Sequence, residues 1–321
     1  MAARLAMGLL IAGTLLAGTA EAQQVTTLAV ANGNFGGPAQ LAVDTSRNLF
    51  VADSANNAIK EVFAPGYAAV ETLAVANGNF SGPFGVAIDG FGNLFVADSF
   101  NSQVKEILAP DYVTVKILAV ANGNFIFPAS VAVDSQGNVF VADLSGNDVK
   151  EILAPDYVTV NALGVANGNF LFPQGVAVDQ AGNVFVADTI NSAVKEILAP
   201  DYVTVNTLAP ANGNFDAPLG VAVDANGNVY VADSENAAVK EIFAAGGYVT
   251  VIPLAPLTGN FSQPDGVAVD ALGNVFVADD VTDLVKEIAA PIPAPAATTG
   301  ALILLGLLLA GAGARMSRRI V

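Results

Sequence analysis

The sequence predicts an all-β fold: a six-bladed β-propeller of four-stranded blades, closed by an N-terminal strand that completes the last blade. Three observations predict it. The unit seen at Gly175–Leu198, GVAVDQAGNVFVADTINSAVKEIL, is written six times. Six Asp residues keep its time, because Asp53, Asp98, Asp143, Asp188, Asp233 and Asp279 follow one another at spacings of 45, 45, 45, 45 and 46. A period in this range, with four short strands per unit, is the signature of a propeller blade. The sixth unit lacks a fourth strand, and Val25-Thr-Thr-Leu28 matches one.

The chain begins with a segment of a different kind. In Met1–Ala22, Arg4 precedes the uncharged run Leu5–Ala20, and Ala20-Glu21-Ala22 gives an A-x-A site. That order is a secretory signal peptide over residues 1–22. The propeller body is expected over 23–290.

In the fourth unit, Gly175–Asp179 is strand a and Asp179–Asn183 a tight turn, with Gly182 free to take positive φ. Val184–Asp188 is strand b, Thr189–Ala193 a loop and Val194–Leu198 strand c. Ala199–Tyr202 turns again, and Val203–Leu208 is strand d. The Val, Ile, Phe and Tyr content suits strands. Strands a and b are apolar on both faces, which fits inner strands packed between neighbouring blades. The sixth unit supplies a (Gly266–Asp270), b (Val275–Asp279) and c (Val285–Ala290), then runs into Pro291. Val25–Leu28 is therefore expected to fill its open edge.

After the body, Pro291, Pro293 and Pro295 stiffen a linker over 291–299. Residues 300–314, GALILLGLLLAGAGA, are uncharged, and counting back to Ala294 gives 21 uncharged residues. That is about enough to cross a ~30 Å hydrocarbon core. Arg315, Arg318 and Arg319 make 315–321 a basic tail that would stay cytoplasmic. A Pro-rich spacer, an apolar span and a terminal Arg cluster together resemble the PEP-CTERM class of bacterial sorting tails. The family's Pro-Glu-Pro reads Pro293-Ala294-Pro295 here. The resemblance implies cutting by an exosortase and delivery to the cell surface or extracellular matrix. The alternative is a plain membrane anchor through the C-terminal segment. Either way the body is expected to be exported by the Sec pathway and to lie outside the cytoplasm.

The blade pattern, P-x-G-V-A-V-D-x-x-G-N-V-F-V-A-D-x-x-N-x-x-V-K-E-I, resembles the NHL repeat. The resemblance covers about residues 25–290 and implies a six-bladed propeller used as an interaction surface. Several units depart from the pattern. Arg47 stands at the turn Gly of unit 1, Ser130 at the strand-a Gly of unit 3, and Gly146 and Thr282 at the loop Asn of units 3 and 6. Where the family often has Arg near the start of strand c, this chain has Lys.

Composition narrows the chemistry. With 12 Lys+Arg against 29 Asp+Glu the formal net charge is −17, so nucleic acid is not an expected partner. Cys and His are absent. That removes thiolate sites, the commonest general base and the commonest transition-metal ligand. No Ser-His or Cys-His pair exists. The lyase of the NHL family uses His at its metal, which this chain cannot supply. Lactonase-type propellers rest on single, non-repeated carboxylates near the channel, and the candidates here are Asp216, Glu235, Asp265 and Asp280.

Two carboxylate sets repeat: the strand-b Asp residues named above, and Asp44, Asp89, Asp134, Asp179, Asp224 and Asp270 at the a–b turns. As oxygen ligands they would suit Ca²⁺. As turn caps they would bond backbone N–H groups two residues on, and a sixfold ring favours this second reading. No cofactor is expected, with Ca²⁺ the one candidate. Function is expected where blades differ. In an antiparallel blade the b–c loop and the d–a crossover share one face. There, units 2–4 offer Phe84, Phe100, Ile126, Phe127, Leu144, Leu171, Phe172 and Ile190 as a binding patch. Units 5 and 6 are acidic at Asp216, Glu235, Asp265 and Asp280, and unit 1 is small and polar at Gly36, Gly37 and Ser54. The expected function is a non-catalytic binding or scaffold module for a protein or other extracytoplasmic ligand, against a propeller hydrolase or lyase with channel Ca²⁺. If Phe127 and Phe172 instead tuck between blades, the patch disappears.

Overall fold

The computed structural model describes residues 23–291 except 30–32, 75–76, 122 and 256–259. The expected signal peptide, the apolar segment, the basic tail and all of the linker but Pro291 lie outside the described residues. No helix among the described residues is long and apolar enough to cross a membrane.

Ala22–Ala290 is one compact unit. It consists of six four-stranded antiparallel sheets. Innermost strands a (Pro38–Val43, Pro83–Ile88, Pro128–Val133, Pro173–Val178, Pro218–Val223 and Pro264–Val269) pack side by side, and the last returns to the first. The ring closes as the sequence predicts. Val25–Leu28 pairs antiparallel with strand c of blade 6, Leu284–Ile288, with Val25 opposite Ile288 and Leu28 opposite Val285.

Strand a starts two residues earlier than the periodicity suggests. Pro173 pairs with Asp188 and Gly175 with Ala187, so the residue between them is extra. Every blade has this irregularity. Such a bulge bends a strand and re-aims a side chain. It does so here at the mouth of the ring.

The core lies between blades. Each hydrophobic cluster draws on two neighbours, as where Phe140 and Val149 of blade 3 meet Val176 and Val184 of blade 4. Burying a Phe of this kind contributes about 1.5–3 kcal/mol. The c–d turn Tyr of each blade packs edge-on against the strand-b Phe of the blade before, as for Tyr112 on Phe50 and Tyr202 on Phe140, both near 6 Å. Blade 6 has no such Tyr. At the Phe position facing that gap, blade 5 carries Tyr230, whose hydroxyl reaches Glu241 at 3.2 Å and Asp224 at 3.4 Å.

Candidate functional site

The repeated carboxylates are already engaged. Asp188 is fully buried and pairs with Lys195 at 2.5 Å. It also accepts the Leu171 N–H at 2.7 Å and an Asn191 Nδ2–H at 2.8 Å. Lys195 in turn donates to the Gly168 carbonyl at 2.6 Å and lies 5.2 Å from the Phe170 ring centre. The same Lys–Asp pair forms in all six blades. The a–b turn Asp residues cap turns as the second reading expects: Asp179 accepts N–H groups from Ala181 at 2.9 Å and Asn183 at 2.8 Å. Asn183 then accepts the Ala199 N–H at 3.1 Å, joining the a–b and c–d turns on one face. On the other face, the Ile190 N–H donates to the Leu171 carbonyl at 3.2 Å, joining the b–c loop to the d–a crossover. Among the described residues no group of three or more Asp or Glu is placed to hold a metal ion.

The non-repeated residues sort differently. Phe84, Phe100 and Phe127 meet edge-on, with ring centres 5.5 to 6.4 Å apart. Phe84 and Phe127 are half-buried, while Phe100 is 65 % exposed. The Phe100 ring lies 2.4 Å from where a Cβ on Gly82 would stand, so a larger residue there would displace the ring. Ile126 and Ile190 are exposed, Leu171 and Phe172 less so at 38 % and 41 %, and Leu144 is half-buried. Phe127 thus joins the ring cluster, while Phe172 stands at φ +54 with no ring partner.

Periodicity hides one residue. Gln40 stands at the third position of strand a, where blades 2 and 4 to 6 have Gly and blade 3 has Ser130. A Cβ on Gly85, Gly175, Gly220 or Gly266 would collide with the backbone of the next blade at 2.4–2.7 Å. The small residues leave room on the axis, and Gln40 fills it. Its Nε2 donates to the Gln174 carbonyl of blade 4, diametrically opposite, at 3.1 Å, and its Oε1 accepts from Ser130 Oγ at 2.6 Å. The signal was present as the one long side chain among six equivalent positions.

Beside this bridge, on the same face as the b–c loops, lies a cavity of about 500 Å³ between blades 6, 1 and 2. Three bulge residues line it: Ala39, Phe84 and Asp265. Phe100, Ser54, Ser81, Asn57 and Asp280 complete the wall. Asp265 is 8 % exposed, and burial, then the charge of Asp280, push its carboxyl up to about 7. A larger cleft of about 760 Å³ opens on the opposite face between blades 3 and 4, but repeated turn residues such as Asp134, Asn138, Asp179 and Tyr202 line it. The sequence-predicted residues therefore divide: Phe84 and Phe100 share the cavity with Asp265 and Asp280, and Leu171, Phe172 and Ile190 do not line it.

The NHL repeat matches residues 170–196 and 215–242. No curated protein matches the sequence. Among solved structures, a gluconolactonase from Xanthomonas campestris superposes with a TM-score of 0.65 at 14% identity, covering 83% of this chain and 89% of that one. A catalytically inactive virginiamycin B lyase from Staphylococcus aureus, with quinupristin, gives 0.61 at 12% identity, over 84% and 86%. A protein of unknown function from Bacteroides thetaiotaomicron gives 0.66 at 15%, over 83% and 75%. Identities this low carry the fold alone. The chain is thus a six-bladed propeller whose fourth and fifth blades match the NHL repeat.

Proposed function

We propose that the chain is an exported, non-catalytic binding propeller, NHL-like in all six blades, that receives a protein or other extracytoplasmic ligand on its b–c loop face. The observation that carries this reading is Phe172. It holds a left-handed backbone at φ +54 while 41 % exposed. The same crossover position is Gly37 in blade 1 and Gly82 in blade 2. A bulky residue in that conformation costs about 1–3 kcal/mol, and such strain clusters at functional positions. The five c–d turn Tyr residues also have positive φ, but all five pack against a Phe of the preceding blade. Phe172 has no ring partner of this kind; the Asn147 Oδ1 that accepts its N–H at 2.8 Å holds its backbone but does not explain the bulky side chain, so selection on its exposed ring accounts for it.

Phe172→Gly is the test. It is expected to leave the melting temperature unchanged or to raise stability by up to about 1 kcal/mol. A species retained by the immobilised wild-type chain from the native cell envelope or medium should be lost by Phe172→Gly with Phe127→Ser. Equal retention by both chains counts against the patch.

The rival reading is a lactonase-like propeller with Ca²⁺, and the observation in its favour is a buried carboxylate, Asp265, at the channel mouth. Against it, Gln40 bridges the axis, and the repeated Asp oxygens already accept hydrogen bonds. A lyase mechanism that needs histidine has none to use, since the chain contains no His. A Ca²⁺ titration followed by melting separates the two, because ligand bound to the native state alone raises its stability.

A further inference from the structure

We propose that the cavity between blades 6, 1 and 2 is a site for an alkylammonium group, held by the carboxylates of Asp265 and Asp280 and covered by the rings of Phe84 and Phe100. This rests on the binding-module reading and assigns a ligand chemistry to one part of its face.

Asp265 is the anchor of the site. It is the extra residue of the strand-a bulge in blade 6, between Pro264 paired with Asp279 and Gly266 paired with Ala278. The bulge sets it at the mouth of the ring, where the equivalent residues of blades 1, 3 and 5 are Ala39, Ala129 and Leu219. Its carboxylate is more than nine-tenths buried. Every repeated Asp of strand b has a Lys partner, but the Asp265 carboxylate accepts no hydrogen bond from any described residue. Asp280, on the same cavity wall, likewise receives none on its side chain. These two are the only charged side chains lining the cavity. Burying an anion without a partner is costly, and a propeller with a buried Asp–Lys pair in each of six blades does not lack the means to neutralise one. An unpaired carboxylate facing a cavity is the complement of a cation supplied from outside.

The wall selects the kind of cation. Ca²⁺ wants six to eight oxygens, and two of the cavity's long side chains are aromatic rings instead. Ring faces attract ammonium groups, more strongly when desolvated. Ser54 and Ser81 hydroxyls are the neutral acceptors available to a third N–H. The aromatic wall sits directly on Gly82 at φ +50, where an added Cβ would displace the Phe100 ring. Blade 1 contributes small residues, Gly37, Ala39 and Ala55, and these leave the space. The raised Asp265 carboxyl agrees with this, since a bound cation offsets the Asp280 repulsion and favours the charged form. The net charge of −17 steers cations toward the surface.

An ammonium of this type comes either from a free amine or from a lysine side chain on a partner. Titration of the full-length chain with n-butylammonium and with Nα-acetyl-lysine methylamide, read by calorimetry at pH 8, distinguishes the sources. Tighter binding of the first points to a small amine, and tighter binding of the second to a lysine-bearing partner. Either supports the site when n-butanol does not bind, and when Asp265→Asn and Phe100→Ala each weaken binding by about tenfold or more. Asp265→Asn removes an unpaired charge and Phe100 is mostly exposed, so both variants are expected to fold, with melting as the check. The proposal is overturned if neither amine binds, if n-butanol binds equally, if Asp265→Asn binds as well as wild type, or if Ca²⁺ binds there and displaces the amine. Amine binding that survives in Phe172→Gly, which leaves the Phe84–Phe100–Phe127 cluster intact, in a chain that retains no macromolecule, would uphold the site and remove the protein-binding reading, so the two fail separately.

Discussion

At the residue scale, positions copied in every blade stand beside positions that one blade alone changes. Glu61 of strand c shows how close the two are. Its cross-strand neighbour is Glu71, whereas Glu106 at the same place in blade 2 faces Lys116 and pairs with it at 3.1 Å. Burial first, then Asp44 and Glu71, push the Glu61 carboxyl up to about 7. A carboxyl raised above its unfolded value binds protons in the native state that the unfolded chain has lost. Stability therefore falls as pH rises from about 4 through about 7, for Glu61 and for Asp265 alike. Melting should be higher at pH 5.5 than at pH 8. Glu71→Lys, which recreates the blade-2 pair, should raise stability at pH 8 by about 0.5–1 kcal/mol and flatten that dependence. No change in either quantity would contradict the assignment.

At the element scale, the strands and their pairing were legible because period 45, the turn Gly-Asn and the missing sixth strand d are all written in the chain. The bulge was not, because Pro173 and Gln174 carry no strand signal, Pro173 pairs only through the tertiary register and Gln174 has no partner across the ladder. The departure at Arg47 was visible, but its purpose was not. With φ at +71, Arg47 reaches from blade 1 to blade 6 and pairs with Asp270 and Glu287, both at 2.8 Å. It clasps the seam where the N-terminal strand closes the ring. Arg47→Ala is expected to lower stability by about 1–3 kcal/mol, measured by denaturant unfolding, since it leaves nearly buried Asp270 without a counter-charge. Deleting residues through Leu28 should lower it further by opening blade 6. An unchanged midpoint in the deletion would contradict closure.

At the scale of the whole molecule, six near-identical blades make a closed ring, and the departures from identity in the b–c loops and d–a crossovers gather on one face. Gln40 was missed in the sequence because a polar residue where four of six blades carry Gly looks like drift. Only the ring brings it opposite Gln174 and beside Ser130. The cavity was legible in its parts, as Phe84, Phe100, Asp265 and Asp280, but the patch reading set the aromatic residues apart from the acidic ones. Ring closure makes blade 6 a neighbour of blades 1 and 2 and brings the two sets together. The central claim is that repeated carboxylates are joints and that the unrepeated one serves a ligand. The most direct measurement is one substitution made at two buried sites, Asp188→Asn and Asp265→Asn, followed by melting at pH 8 without ligand. Asp188→Asn leaves the part-buried Lys195 without its counter-charge and is expected to cost about 3–5 kcal/mol. Asp265→Asn removes a charge that burial disfavours and is expected to stabilise by about 1–3 kcal/mol. Opposite shifts are the predicted result; a fall in melting temperature for both would contradict it.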